Sequence, residues 1–221
     1  MSAVDIHVPY YAARATEYDA TSGYQRREAA AALAPVRARY QLAFAGKDVL
    51  EIACGTGYWT KAVALTARSV LATDVNSETI EVARQRVAGR ANVRFQVANA
   101  YTLEGVAGPF TGAYGQYWWS HIPMARIREF LAALHARLVP GSRVMFLDAL
   151  EYHYRRPRRF DENGDLLEER LLRDGTSFEI VKNFPSAEDV RSALAGLASE
   201  VTYREYAAAG YWFVSYIVNK P

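Results

Sequence analysis

The chain has little of what would commit it to a membrane, an oxidising compartment, a metal or a polyanion. Its 221 residues hold one cysteine, Cys54, so no internal disulfide is available and a reducing, cytoplasmic setting is expected. No apolar run approaches the roughly 20 residues that a membrane span needs. The N-terminal stretch MSAVDIHVPYYAARATEYDA interrupts its apolar residues with Asp5, His7, Arg14 and Glu17, which leaves no signal-peptide core. Neither sign of charge dominates: 26 basic and 24 acidic residues give a formal +2, no general drive towards nucleic acid or an anionic membrane. Nowhere do His, Cys, Asp and Glu cluster at metal-ligand spacing, and no repeat, low-complexity tract or second domain boundary is visible. Apolar residues, by contrast, make up 51% of the chain, enough to core a single domain over 1–221.

That domain is organised around Asp48 to Thr60, DVLEIACGTGYWT. Val49, Leu50 and Ile52 read as a buried strand, Ala53, Gly55 and Gly57 as a tight turn, and the segment from Tyr58 as a helix. Such a turn lets backbone approach a ligand and offers it the free N–H groups of the helix. Glu51, an acid among buried positions, requires a partner, for which an ammonium-bearing ligand is one candidate. Cys54 reads either as a small filler of the turn or as a nucleophile, although no base lies near it in sequence. A dinucleotide site would need G-x-G-x-x-G. Gly55-Thr56-Gly57 is followed by Tyr58-Trp59-Thr60, so the third glycine is missing and a nicotinamide oxidoreductase is disfavoured. The string E-x-A-C-G-T-G instead resembles the first motif of class I S-adenosylmethionine (SAM) dependent methyltransferases, with Ala53 where the family usually has its first glycine.

Further along, strand and helix alternate. Ser69 to Asp74 is a second strand ending in an acid about 20 residues beyond Gly55, where a carboxylate accepts hydrogen bonds from ribose hydroxyls. Asn76 to Arg90 reads as a helix capped by Asn76 or Ser77, and Val93 to Val97 as a third strand. Pro109 to Pro123 holds a fourth strand and its exit, Tyr117-Trp118-Trp119-Ser120-His121. Residues 124 to 139 carry Ile127, Phe130, Leu131, Leu134 and Leu138 on one helical face, stopped by Pro140-Gly141, and Arg143 to Leu150 is a fifth strand. Alternation over five strands predicts a parallel sheet with right-handed crossovers. Residues 151–185 break the pattern: Asp174-Gly175 between Leu166–Leu172 and Ser177–Phe184 predicts a β-hairpin cap above the site. A helix from Ser186 to Leu197 and two strands, Glu200–Tyr206 and Tyr211–Val218, close the chain. Upstream, 24–44 reads as an alanine-rich helix with a kink or break at Pro35 and a solvated face carrying Arg26, Arg27, Arg37 and Arg39. Arg155, Arg156, Arg158 and Arg159 read as a solvated loop.

The methyltransferase resemblance implies a Rossmann-like α/β fold: a seven-stranded sheet of five parallel strands and a terminal antiparallel hairpin, helices on both faces, and the small cap. Residues 1–24, with Tyr10, Tyr11, Arg14 and Tyr18, resemble the N-terminal lid of small-molecule methyltransferases. The resemblance implies a SAM site built from Glu51, Ala53, Gly55, Gly57, Trp59, Thr60, Asp74, Val75, Asn99, Ala100, Tyr117 and Tyr18, with S-adenosyl-L-homocysteine (SAH) as product. Asn99 stands near the acid that usually accepts from the adenine amino group, and Thr111 replaces another family acid. The acceptor would be met by Tyr11, Arg14, Trp118, Trp119 and His121. His121 reads equally as a structural histidine or as a residue touching substrate, and Tyr11 is a weaker candidate base.

YYAARATEYDAT, LEIACGTGYWT and DGTSFEIVKNFPSAED together are similar to small bacterial O-methyltransferases of natural-product pathways, phosphonate O-methyltransferases in particular. That implies a place in secondary metabolism or antibiotic biosynthesis and an acidic acceptor, carboxylate or phosphonate, with Arg170 and Lys182 as paired cations for its anion. A hydroxyl acceptor would need a base. Methylation of nitrogen or carbon on an apolar isoprenoid, lipid or aromatic acceptor, and a SAM-binding module without catalysis, are the alternatives. The expected partners are small molecules alone, on a monomer or homodimer.

Overall fold

Each face of the central sheet buries its own alternate residues, which is why the strands read as apolar runs. The computed structural model describes residues 6–22, 27–151 and 158–219. Along β5 (Leu138–Ala149), Val144 and Phe146 enter one core while Met145 and Leu147 enter the other. The first core receives α6 (Ile127–His135) through Ile127, Phe130, Leu131 and Leu134, and α7 (Ala187–Leu194) through Val190 and Leu194. The second receives α3 (Arg27–Ala43) through Val36 and Tyr40, with Phe44 just beyond it, and α4 (Tyr58–Val63) through Trp59 and Val63.

Seven strands make the sheet. They include β1 (Asp48–Ile52), β2 (Ser69–Asp74), β3 (Val93–Val97), β4 (Phe110–Gln116) and β5, all parallel. The order is β3-β2-β1-β4-β5-β10-β9, where β9 is Ala198–Tyr206 and β10 is Tyr211–Val218. Only β10 runs against its neighbours, filling the gap between β5 and the edge strand β9 after a turn at Ala207–Ala209 and Gly210. The expected five parallel strands and closing hairpin are therefore present. From β1 the chain steps outwards to β2 and β3, then returns across β1 to β4, and the strand ends diverge at that switch point. No described helix is long and apolar enough to cross a membrane.

Three expectations change. The helix over Pro35 neither breaks nor stops, and α3 runs through it from Arg27 to Ala43. Pro140-Gly141 does not precede β5 but lies inside it, at a register shift where Phe110 pairs with Leu138 and Gly112 with Arg143, so the irregular pairing absorbs the proline. The cap has three strands, β6 (Arg158–Phe160), β7 (Leu166–Leu171) and β8 (Ser177–Val181), the last two forming the expected hairpin. Arg26, Arg155 and Arg156 lie outside the described residues. Arg158 and Arg159 pair with Glu151 and Glu179 at the surface, as a solvated run should. Ser186 caps α7 as predicted, in a reciprocal box with Asp189.

Buried polar bonds tie the cap to the exit of β4. Asn183 donates to Ile122 and Asp165 and accepts from the Leu166 N–H, while Asp165 accepts from the Met124 N–H. Ahead of the sheet in the chain come the two short helices of the expected lid, α1 (His7–Arg14) and α2 (Tyr18–Ser22). The Tyr10 ring of α1 packs 5.6 Å from that of Phe178 on β8.

Candidate active site

Ala53, Gly55 and Gly57 all take left-handed backbone conformations, with φ of 50°, 52° and 76°, and so reverse the chain from β1 into α4. The two glycines serve different ends. A Cβ on Gly55 would meet nothing within 4 Å, so that strip of backbone stays open to a ligand. A Cβ on Gly57 would fall 2.9 Å from the Ala83 Cβ, so this glycine lets the turn press on α5 (Ser77–Arg86). Cys54, just ahead of Gly55, is buried, and burial followed by the charges of Asp74 and Glu51 pushes its thiol well up, as befits a filler and not a nucleophile.

The acid ending β2 closes the turn. Asp74 accepts from the Gly55 N–H at 2.9 Å and the Asn76 N–H at 3.0 Å, and burial raises its pKa against those bonds. A carboxylate only accepts, which suits it to ribose hydroxyls. Asn99, at the end of β3, accepts from the Tyr101 N–H. Glu51 sits behind the turn and outside the cleft lining: one oxygen accepts from the Thr60 hydroxyl at 2.6 Å, the other has no partner among the described residues. Burial pushes its carboxyl up to about 8.

The cleft, about 800 Å³ when the open solvent at its mouth is included, runs across four strand ends. Ala53, Gly55, Asp74, Val75, Asn99, Ala100, Tyr117, Trp118 and His121 line it, with Tyr11 and Tyr18 of the lid above. The lid is latched by Asp19, which accepts from the Thr56 hydroxyl at 2.7 Å and pairs with Arg86 of α5. Arg14 stacks on Tyr18, 4.6 Å from its ring centre, and bonds Thr21, so it braces the lid without lining the cleft.

At the far end, His121 Nδ1 lies 2.7 Å from the Val181 carbonyl and Nε2 2.9 Å from the Tyr11 hydroxyl. A carbonyl can only accept, so Nδ1 carries the hydrogen and Nε2 accepts from Tyr11. Burial, then the charges of Lys182, His7 and Arg170, hold the His121 pKa well below 6.5, and burial holds the Tyr11 hydroxyl well above 10. Both groups are neutral near pH 7, and the ring's only basic lone pair is in use.

Several expected residues stand elsewhere. Trp59 is 4% exposed and packs on Tyr40 in the second core, because its helical phase turns it inward. Thr60 bonds Glu51, and Gly57 serves packing. Trp119 packs against Phe146 and Trp212 and borders a second, more open cleft with Phe160 and Phe184. Lys182 is buried and reaches Ser120 Oγ at 2.6 Å and Asp148 at 3.2 Å, while Arg170 pairs with Glu168 at 2.8 Å. Neither cation lines the cleft; both are buried at the cap. The lining also includes His7, Val8, Thr56, Asn76, Thr79, Tyr101 and Gln116, which sequence reasoning missed. Thr56 lies inside the glycine motif and Gln116 at the end of the fourth strand, so both were within reach of it, whereas His7 carries no local signal.

Gln116 Nε2, Trp118 Nε1 and the Tyr101 hydroxyl are buried without partners among the described residues. A cleft with an open glycine strip, a strand-end acid and spare donors suits a nucleoside-bearing ligand such as SAM. A model described as "Methyltransferase domain" matches residues 49–141. The chain is similar to DhpI in complex with SAH, at 30% identity over 99% of this chain and 98% of that one, with a TM-score of 0.77. A complex of DhpI with SAM and HEP is similar at 28% identity, over 99% and 97% of the two chains, with a TM-score of 0.79. The N-methyltransferase NodS from Bradyrhizobium japonicum WM9, in complex with SAH, shares the fold at 18% identity, over 84% and 87%, with a TM-score of 0.61.

Proposed function

Because this chain belongs to the class I SAM-dependent methyltransferases, we propose that it methylates an oxygen of a small acidic acceptor, a carboxylate or phosphonate, in a natural-product pathway. SAM is the methyl donor and SAH the product. When bound, the cofactor supplies an electrophilic methyl on a cationic sulfur. The chain's residues then need to bind, orient and dry the acceptor oxygen rather than activate it.

The observation that carries this reading is the state of His121. Its Nε2 lone pair accepts from Tyr11 and its pKa is well below 6.5, so it is a poor base for a hydroxyl or an ammonium, and an ionised oxygen needs none. Asp74 and the open strip at Gly55 suit the ribose and the methionine part, and Asn99 and Ala100 the adenine. Glu51 supports the turn from behind through Thr60. The Tyr11–His121 pair orients the acceptor, and the Trp118 wall excludes water. Lys182 and Arg170 bias the potential of this end without lining it. The DhpI neighbour solved with SAM and HEP together supports a second small ligand beside the cofactor. The aromatic wall of Tyr101 and Trp118, with ring centres 5.8 Å apart, favours a second reading, N- or C-methylation of an apolar acceptor.

Incubation with labelled SAM and a panel of phosphonates, carboxylates, phenols, amines and prenyl acceptors, read by mass spectrometry, separates the readings. Transfer to acids is expected, with kcat/KM for a carboxylate acceptor flat from about pH 6 to 9 at saturating SAM. Transfer to phenols or amines alone, with a rate that climbs through a single ionisation in that range, would sink the acidic-acceptor reading.

A further inference from the structure

We propose that His7, at the start of α1, is an acceptor-binding residue: its imidazole donates a hydrogen bond to the acceptor oxygen, beside the Tyr11–His121 pair. The proposal rests on the acidic-acceptor reading above and names the group that would recognise the acid.

His7 lines the cleft and is 5% exposed. Neither of its ring nitrogens has a hydrogen-bond partner among the described residues. A helix that needed only an apolar plug here would be served by leucine or phenylalanine, and two unmet buried nitrogens weaken the lid as it stands. Their surroundings say what is missing. The ring meets His121 edge to face, with centres 5.1 Å apart, so a group seated against His7 is also beside the end of the cleft that Tyr11 covers. Burial is the main influence on the ring and lowers its pKa to about 4. The His121 backbone favours the charged form, and Lys182 opposes it. At neutral pH the imidazole therefore offers one N–H and one bare nitrogen.

An anion fits that offer better than a neutral or cationic group. The only carboxylate among the described lining residues is Asp74, bound to the glycine turn at the other end, so an anion beside His7 meets no like charge. The charges that act on this corner are those of Lys182 and Arg170. A neutral N–H orients an oxygen while leaving its negative charge largely uncompensated, and so preserves its nucleophilicity. A direct cation would quench it. The Trp118 Nε1, which also lines the cleft and has no partner among the described residues, is available as a second neutral donor.

The test is calorimetric titration of SAH-loaded protein with methylphosphonate, acetate and phenol, for wild type, His7→Phe and His7→Gln. At least one anion is expected to bind wild type, to bind His7→Phe about tenfold more weakly or worse, and to regain all but about threefold in His7→Gln, which restores an N–H. SAH affinity should stay within about twofold throughout, because His7 is assigned to the acceptor. Equal anion affinity in wild type and His7→Phe overturns the proposal. Binding of phenol alone, lost in His7→Phe, keeps His7 and overturns the acidic acceptor; binding of no probe by wild type overturns both. If His7→Phe does not fold, the ¹⁵N resonances of the His7 ring in wild type decide the matter. They shift on addition of the anion if the bond forms, and unmoved resonances overturn the proposal.

Discussion

Glu51 shows how a residue legible as anomalous can still surprise. Its carboxylate does not reach the cleft; it is buried beneath the turn against Thr60, and its pKa of about 8 exceeds the 4.5 of an ordinary glutamate. Below about pH 4.5 both folded and unfolded chains hold the proton and its contribution to stability is complete. As pH rises towards 8 the unfolded chain releases the proton first, so stability falls, and the fall levels once the folded form ionises. Glu51→Gln keeps the shape and cannot ionise. Its melting temperature should match wild type near pH 4 and exceed it increasingly up to pH 8, in scans without SAM. Parallel melting curves over that range would mean that the carboxyl is not held protonated. The acid itself was legible from its place in an apolar strand. Its place outside the cleft lining was not, because its bond to the Thr60 hydroxyl joins it to the next helix. Ala53 is the converse case. It stands where the family has glycine, and its φ of 50° explains that preference, since the left-handed region costs an alanine about 1 kcal/mol.

Elements fell where periodicity put them, and the differences have local causes. The hairpin at Asp174-Gly175 was readable because Gly175, with φ 89°, supplies the left-handed turn residue. β6 was not, since three residues carry too short an alternation and pair only because β7 is already there. The cap cations show the same limit: sequence shows that Arg170 and Lys182 share a hairpin but not which face is covered, and neither lines the cleft. Lys182 ends up 2% exposed between Ser120 and Asp148, where it locks the cap to the β4 exit. Lys182→Met should therefore destabilise the protein by about 3–5 kcal/mol in urea unfolding, because it strands a buried carboxylate. Adding Asp148→Leu should recover most of the loss. A Lys182→Met protein of wild-type stability whose only defect is a raised acceptor KM would return this lysine to the substrate.

For the whole molecule, a ligand that bridges four strand ends and lies under the lid should stabilise the fold as a unit. SAM or SAH at about a hundred times its Kd contributes about 2.7 kcal/mol, which in a chain of this size raises Tm by about 5–10 °C. NAD at the same concentration should leave Tm unchanged, and an equal shift by NAD would contradict the reading of the glycine turn. By itself the sequence determined the alternation of strands and helices, the strand–turn–helix at Asp48 to Thr60 and the acid at Asp74, because these depend on neighbours a few residues apart and on backbone conformations few residues adopt. Only the tertiary structure decided which aromatics face the cleft and which fill the core, parting Trp118 from Trp119. It also placed His7 against His121 across more than half the chain and sealed Lys182 under the cap. Those outcomes depend on how separate elements pack, and packing couples positions that no local pattern relates.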